Sequence, residues 1–511
     1  MKKYLIAYDL GTGGCKASLY DEQGICLADS FISCDTIYPQ QGWHEQRPED
    51  WWSAVVQSTK RLITQSEVDT QQIVGIGISG HSLGLVPIGK KGKLLRQSVP
   101  IWSDARPTEK ETQPFFDKID EEKWYMITGN GFPPPLYTVF KLMWLKNNEP
   151  DLFEQIDQVI GTKDYINYKL TNVLATDYSY ASGSGVYDLK KWDYSQELIE
   201  ASEIPASIFP RLAASTEVLG TLTDEAAKEL GLPTHVQVVA GGVDNSCMAL
   251  GAKCFKEGRS YNSLGSSAWI AVSSSQPLLQ PNSRPYVFTH VVPKMFASAT
   301  AIFSAGTSFR WLRDNVCEEM KQLEGDTWDH LTALASTSPA GANKLLFNPT
   351  LAGGTLIDKS ANVRGGFAGI DLRHTKADVV RSTMEGICMG LRVALDELRK
   401  LTQLEDEMLL VGGGSKSDFW RQMYADIYNT KVIKTNVDQQ AAALGAAALA
   451  AVGTGLWDNF DTIDEIHKVE HTEKPGKEEN YTYEQLLPIY KQLADNLSDI
   501  SDQLLKVKSM N

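Results

Sequence analysis

Apolar residues recur along this chain with two periods, and the places where the period changes mark its elements. Tyr4 to Tyr8, Cys15 to Tyr20 and Ile25 to Phe31 are short β-like runs separated by glycine-bearing turns, which predicts an antiparallel meander. Glu49-Asp50-Trp51-Trp52 opens a helical pattern to about Thr64, and Gln72 to Ser79 reads as a buried strand. The second half restarts the theme: Ser260 to Val272 is strand, glycine-hydroxyl turn, strand, and laid beside Leu5 to Leu19 it looks like a diverged internal repeat. Lys376-Ala377-Asp378 opens a helix to about Leu401, with Val379, Val380, Met384, Ile387, Met389, Leu391 and Leu395 on its apolar face. Glu407 to Val411 is a strand ending in Gly412-Gly413-Gly414-Ser415, and Asp418 to Tyr428 is helical. Ala441 to Trp457 is an Ala/Gly-rich packing helix, 470–480 a polar connector, and 482–508 a charged amphipathic terminal helix. Two hairpin-plus-helix halves would face one another across a cleft, where small ligands bind. The expected division is 1–254, 255–480 and a terminal helix, 481–511.

Composition narrows the class. At 511 residues the chain exceeds what one core supports, and 42% hydrophobic with 22% charged residues is ordinary for packed globular proteins. Lys and Arg number 49 against 64 Asp and Glu, a net charge of −15 with no long basic stripe. That argues against nucleic acid or an anionic membrane as a partner and for a small molecule. Asp9 interrupts the first apolar run too early for a secretory signal, so the expected location is the cytoplasm. The Ala441 to Trp457 run is too weakly apolar to span a bilayer. Seven Cys form no C-x-x-C pair and eight His no H-E-x-x-H, so neither a disulfide framework nor a structural zinc is expected.

Four motifs compete for the chemistry. Gly75 to Gly80 fits G-x-G-x-x-G but lies inside a strand instead of opening a helix, and Gly84 to Lys91 resembles a Walker loop that ends in the wrong residue. Gly80-His81-Ser82-Leu83-Gly84 matches the serine-hydrolase elbow, which needs a helix directly after Ser82; Leu85 to Leu94 instead reads as strand, turn, strand, with Pro87 ill placed in a helix. Asp9-Leu10-Gly11-Thr12-Gly13-Gly14-Cys15-Lys16 has the parts phosphate chemistry needs. Its glycines admit close approach of backbone N–H groups, Thr12 offers another donor, and Asp9 can hold Mg²⁺ directly or through water. Taken alone it is also an ordinary tight hairpin. Gly265-Ser266-Ser267, Gly412 to Ser415 and Gly241-Gly242-Val243-Asp244-Asn245 supply further turns of the same kind.

With those turns in place the chain resembles the FGGY family of carbohydrate kinases over nearly its whole length, closest in pattern to its xylulokinase-like members. The likeness rests on Asp9 to Lys16, on Gly42 to Gln46 with Pro48 to Trp52, on Trp102-Ser103-Asp104-Ala105-Arg106, and on a signature filled by Gly365, Phe367, Gly369, Ile370, Asp378, Val379, Ser382, Thr383, Met384 and Glu385. Gly412 to Ser417 with Trp420, and Ala442 to Ala446, add to it. The resemblance implies an α/β, two-domain, actin-like (ribonuclease-H-like) fold with a cleft between the domains. Sugar is then held by the first domain, and ATP, with Mg²⁺, mainly by the second.

Carried over residue by residue, Asp244 is the catalytic base, Asn245 a sugar contact, and His81, Ser82, Leu83, Asp104 and Tyr137 the rest of the acceptor pocket. Gly11, Thr12, Gly13, Lys16, Gly265 and Ser266 face phosphates, Gly306 and Arg310 lie near adenosine, and Gly413, Gly414 and Ser417 face adenine. The implied reaction is phosphorylation of a small sugar hydroxyl, D-xylulose first, with ribulose, other ketoses and erythritol-like polyols behind it; a homodimer is left open. Two departures bear on the substrate. Where xylulokinases usually show S-G-Q-M-H-G this chain has Ser79-Gly80-His81-Ser82-Leu83-Gly84, and the usual G-E-R-T-P segment is missing from Leu351 to Ile357.

Overall fold

The computed structural model describes residues 2–355 and 357–507. Strands β1 (Tyr4–Gly11), β2 (Gly14–Asp21) and β3 (Cys26–Ser33) form the expected antiparallel meander. Gly11 pairs with Gly14, leaving Thr12-Gly13 as the turn, and a Cβ on Gly14 would lie 2.1 Å from the Ile32 carbonyl oxygen. Helix α1 (Pro48–Ser66) starts with proline in its first turn followed by Glu49 and Asp50, which suit the positive end of the helix dipole. Strand β4 (Ile73–Gly80) lies parallel to β1. No helix follows Ser82; the next regular element is the short strand Val86–Gly89, so the hydrolase-elbow context is absent. Helices α2 (Thr138–Asn148) and α3 (Thr162–Thr171) lead to β5 (Val218–Thr221), β6 (Gln237–Val239), β7 (Gly242–Val243) and helix α4 (Asp244–Gly251).

The second half follows the same plan. It consists of β8 (Ser260–Leu264), β9 (Ala268–Ser274), β10 (Tyr286–Thr289), β11 (Phe296–Ile302), α5 (Gly306–Asn315), α6 (Lys376–Arg399), β12 (Glu407–Val411), α7 (Asp418–Tyr428), β13 (Lys431–Thr435), α8 (Ala441–Gly453), β14 (Val469–Glu473) and α9 (Lys477–Leu504). One sheet runs β5-β6-β4-β1-β2-β3, with β7 also on β4, and the other runs β14-β13-β12-β8-β9-β11-β10. Read side by side, each has an antiparallel edge, two parallel strands, a central strand and antiparallel hairpin partners. The internal repeat is real, and β10 is the one addition at the far edge.

Two expectations at the C-terminal end need correction. Residues 469–473 of the supposed connector are an edge strand, and the last helix starts at Lys477, ahead of 481, with Glu478 and Glu479 in its first turn. His467, just ahead of that edge strand, is buried and bonded to Thr435 and the Gly251 carbonyl.

Each sheet has its own core, and a third cluster joins them, containing Leu5 and Ala7 of β1, Tyr261 of β8, Leu409 of β12, and Ala446 and Leu449 of α8. α4 and α8 occupy matching places in the two halves and meet backbone to backbone. A Cβ on Gly251 would lie 1.8 Å from the Ala441 carbonyl oxygen, and one on Gly445 2.0 Å from that of Cys247. α8 also lies under β4, where Gly77 has no room for a side chain against Ala446. Among the described residues no helix is long and apolar enough to cross a membrane.

Candidate active site

Three parallel strands end together. Asp9 pairs with Ser79 across β1 and β4, and Gly242 and Val243 pair with Ser79 and Gly80 across β7 and β4. Asp244, the first residue of α4, therefore emerges beside Asp9 at the carboxyl ends of the strands, where open α/β sheets bind ligands. Ser79 donates to Asp9 Oδ1 at 2.8 Å, and the Asn245 N–H donates to Asp244 Oδ1 at 2.7 Å. Both carboxyls are half-buried. Desolvation on the cleft floor, with the charge of Asp9 added, pushes the Asp244 pKa up to about 7. Asp9 is raised too, by desolvation, against the pull of the Ser79 hydroxyl and of Lys16 opposite it in the hairpin. Among the described residues neither acid forms an ion pair. Two neighbouring carboxyls that repel each other and are not closed off by an ion pair fit a divalent cation.

The segment that delivers Asp244 is pinned from below by groups that pattern alone did not single out. The Val243 N–H donates to Ser179 Oγ at 3.0 Å, and that hydroxyl donates to Asp177 at 2.5 Å. Lys163 pairs with Asp177 at 3.0 Å and donates to the Ala240 carbonyl at 3.1 Å. All three side chains are buried.

The first turn is also tied to the pocket side. Thr12 Oγ1 accepts from Trp102 Nε1 at 2.8 Å, and the Thr12 carbonyl accepts from Gln46 at 2.7 Å. Gly13 and the half-buried Lys16 flank it.

The second turn is exposed and backed by α5. The N–H groups of Ala305, Gly306 and Thr307 donate to the carbonyls of Ser266, Gly265 and Ser266, each at 3.0 Å. A Cβ on Gly306 would sit 2.3 Å from the Gly265 oxygen. Gly412, at φ 91°, approaches Leu264 closely enough that its Cβ would lie 2.6 Å from the Leu264 oxygen, and Gly414 is wedged against the Leu264 side chain. Gly265, Gly306, Gly412 and Gly414 thus converge on one point, while Gly413 faces open space and Arg310 is exposed one turn along α5. Ser417 caps α7, its hydroxyl accepting from the Trp420 N–H at 3.3 Å. The structure brings the phosphate-facing and adenosine-facing candidates together as two groups, one on each half.

The acceptor candidates are less uniform. Ser82, two residues past the end of β4, and Asn245, next to Asp244, are half-buried. His81 is 2% exposed, lies within 3.2 Å of Thr162 Oγ1 and packs edge-on against Trp51. Burial pulls its pKa down to about 4, so the ring is neutral. Leu83 is buried at φ 58°, a left-handed backbone that is uncommon outside glycine. Asp104 is fully buried and accepts from the His44 N–H and from the backbone and guanidinium of Arg106, so its acceptor positions are all used. Tyr137 is buried, its hydroxyl accepting from the Phe132 N–H at 2.9 Å.

The comparisons with known proteins agree with this plan. The FGGY carbohydrate-kinase N-terminal domain matches residues 4–251, and the C-terminal domain matches residues 260–454. The chain belongs to the FGGY family of carbohydrate kinases. It is 30% identical over 508 residues to the xylulose kinase of Staphylococcus epidermidis, covering 99% of each chain. Its fold is similar to that of ligand-bound xylulose kinase from Lactobacillus acidophilus, with a TM-score of 0.90, 28% identity, and coverage of 98% of this chain and 100% of the other. Gluconate kinase from the same organism gives a TM-score of 0.89, 27% identity, and coverage of 99% and 100%. This FGGY chain therefore has the two-domain, actin-like α/β fold with a cleft, and is a carbohydrate kinase with ATP as phosphate donor.

Proposed function

We propose that this FGGY kinase phosphorylates D-xylulose, giving D-xylulose 5-phosphate and ADP. Asp244 accepts the proton of the attacking hydroxyl as the new oxygen–phosphorus bond forms and the bond to the β,γ-bridging oxygen breaks. Proton acceptance of this kind contributes about 100- to 10,000-fold in rate. The larger share comes from holding the acceptor in line with phosphorus while the N–H groups and hydroxyls of the two turns meet the spreading charge. Asp9 would hold Mg²⁺, directly or through water, and the ion supplies positive charge to the transferring phosphoryl group. Gly11, Thr12, Gly13, Lys16, Gly265 and Ser266 receive the phosphates, Gly306, Arg310, Gly413, Gly414 and Ser417 the adenosine, and Asn245 and Ser82 the sugar. The single observation that carries this reading is Asp244 with its raised pKa, set beside Asp9 at the joined ends of β1, β4 and β7.

D-xylulose leads because the S. epidermidis and L. acidophilus xylulose kinases resemble this chain over their whole length; gluconate is the second reading, supported by the equally good fit to gluconate kinase. We also propose a domain boundary near residue 255, between the two family matches, and a cytoplasmic location, where ATP is available. Mg²⁺-dependent ADP release with D-xylulose, D-ribulose, gluconate and erythritol tests the function. Strong turnover with D-xylulose alone supports it, preference for gluconate replaces the substrate, and ATP turnover independent of any sugar overturns kinase activity.

A further inference from the structure

Lys141 in the first turn of α2 is 1% exposed, a strongly polar side chain sealed beneath the acceptor side of the cleft. Its Nζ donates to the Leu83 carbonyl at 2.9 Å, the Ile101 carbonyl at 2.8 Å and the Trp102 carbonyl at 3.5 Å. Among the described residues it has no carboxylate partner, so its N–H groups are spent on main-chain oxygens. Those oxygens belong to two separate segments: the loop after β4 that carries Ser82 and Leu83, and the loop that carries Trp102 and Asp104. The same Leu83 whose carbonyl it holds is the left-handed one, and that side chain is trapped against Gly183, where an added Cβ would lie 2.7 Å from Leu83 Cδ2. Trp102 in turn donates to Thr12 of the first phosphate turn. One ammonium group therefore ties both acceptor-side loops and, through Trp102, reaches the phosphate side.

We infer that Lys141 is a positioning residue whose ammonium clamps the Leu83 and Ile101–Trp102 backbones, sets the shape of the wall that meets the acceptor, and loosens it on losing its proton. The functional half of this inference rests on the proposed role of these loops in acceptor binding. Burial brings the Lys141 pKa down to about 7; the Asp104 carboxylate opposes that shift and the Arg106 guanidinium adds to it, while neighbouring His81 is neutral. Below about pH 7 the group is an ammonium with three donors for three carbonyls. Above it one donor is replaced by a lone pair facing an oxygen, so the clamp weakens as pH rises.

The full-length enzyme tests this by steady-state kinetics between pH 6 and 8.5. In the wild type the KM for the sugar should climb about tenfold across that range and the KM for ATP change less than about threefold, while kcat rises as Asp244 ionises near pH 7, a rise the Lys141 variants keep. Lys141→Met should show the raised KM already at pH 6, and Lys141→Arg, whose charge does not titrate, a KM independent of pH. A flat wild-type KM, or a Lys141→Met enzyme that keeps the wild-type KM and slope, overturns the inference. Hydrogen exchange without substrate separates the clamp from the assigned reaction. Peptides 81–87 and 100–106 should exchange faster in Lys141→Met and, after correction for intrinsic rates, in the wild type at pH 8.5, with α7 unchanged. Loosening of both peptides in an enzyme that accepts no sugar leaves the clamp standing and removes the proposed function; unchanged protection removes the clamp even if D-xylulose is phosphorylated. Should Lys141→Met fail to fold, the wild-type pH series of both measurements decides.

Discussion

The turns between β1 and β2 and between β8 and β9 stand at the same place in two sheets of the same plan, yet they have been filled with different chemistry. Two residues before the turn glycine, the first carries Asp9 and the second Ser263. The first turn is two residues long, tied by side chains of Trp102 and Gln46, and lies beside a second acid, Asp244. The second is three residues long, carries hydroxyls, and is held by main-chain N–H groups from the start of α5 and by close glycine contacts. Duplication supplied one scaffold. Charge on one side and uncharged, glycine-lined backbone on the other suit the proposed division of labour: proton and metal chemistry near the first turn, nucleotide seating at the second.

That division can be broken in order of severity. Asp244→Asn should lower sugar-dependent ADP release by at least about 100-fold while ATP affinity stays within a few-fold, because proton acceptance is lost and nucleotide contacts are not. Near-normal turnover would remove Asp244 from the chemistry. Asp9→Asn should cost about 10- to 100-fold in kcat and raise the Mg²⁺ concentration needed for half-maximal rate, read from a metal titration; an unchanged titration would detach Asp9 from the ion. On the opposite wall, Gly306→Ala puts a methyl group against the Gly265 oxygen, and should raise the KM for ATP about tenfold with the sugar KM within about twofold. An effect on the sugar instead would erase the contrast between the halves.

A smaller effect depends on pH. His81, behind the first turn, and His290 and His467, near the end of α4, are each pulled from 6.5 to about 4 by burial. The unfolded chain takes up these protons first, so stability is full above about pH 6.5 and falls as pH drops toward 4. Denaturant melts across that window should show the loss, and His81→Asn should reduce its steepness. Smallest of all, Ser82→Ala should leave kcat within about threefold, since Ser82 is proposed to contact the sugar while Asp244 takes the proton; an esterase activity lost in that variant would revive the elbow reading.

How far the sequence was legible depended on where the interactions are local. β12 and α7 have the predicted limits because a run of buried aliphatics and a strong helical period are properties of neighbours in sequence. β14 was missed because its residues are polar and largely exposed, and only main-chain pairing with β13 makes it a strand. At the site, glycine spacing and acid placement revealed the two turns. Asp104 could be seen as an acid in a motif, but only the fold shows its oxygens spent on Arg106 and His44. Lys141 and the Asp177–Ser179 support of Val243 left no trace in pattern, since their partners are backbone groups far away in the chain.

The position of α8 has a consequence for how the chain is made. By order it belongs to the second half, yet it lies under β4, where Gly77 meets Ala446, and joins the cluster that covers Leu5 and Ala7. During synthesis the underside of the first sheet has therefore to wait for residues 441–453, on the order of 20–75 s after Gly80 is added at the usual 5–20 residues per second. For that interval a nascent first half presents an apolar surface whose cover does not yet exist. Release of a chain truncated before residue 441 should yield a species that chaperones hold and that aggregates, however complete its first sheet is in strands.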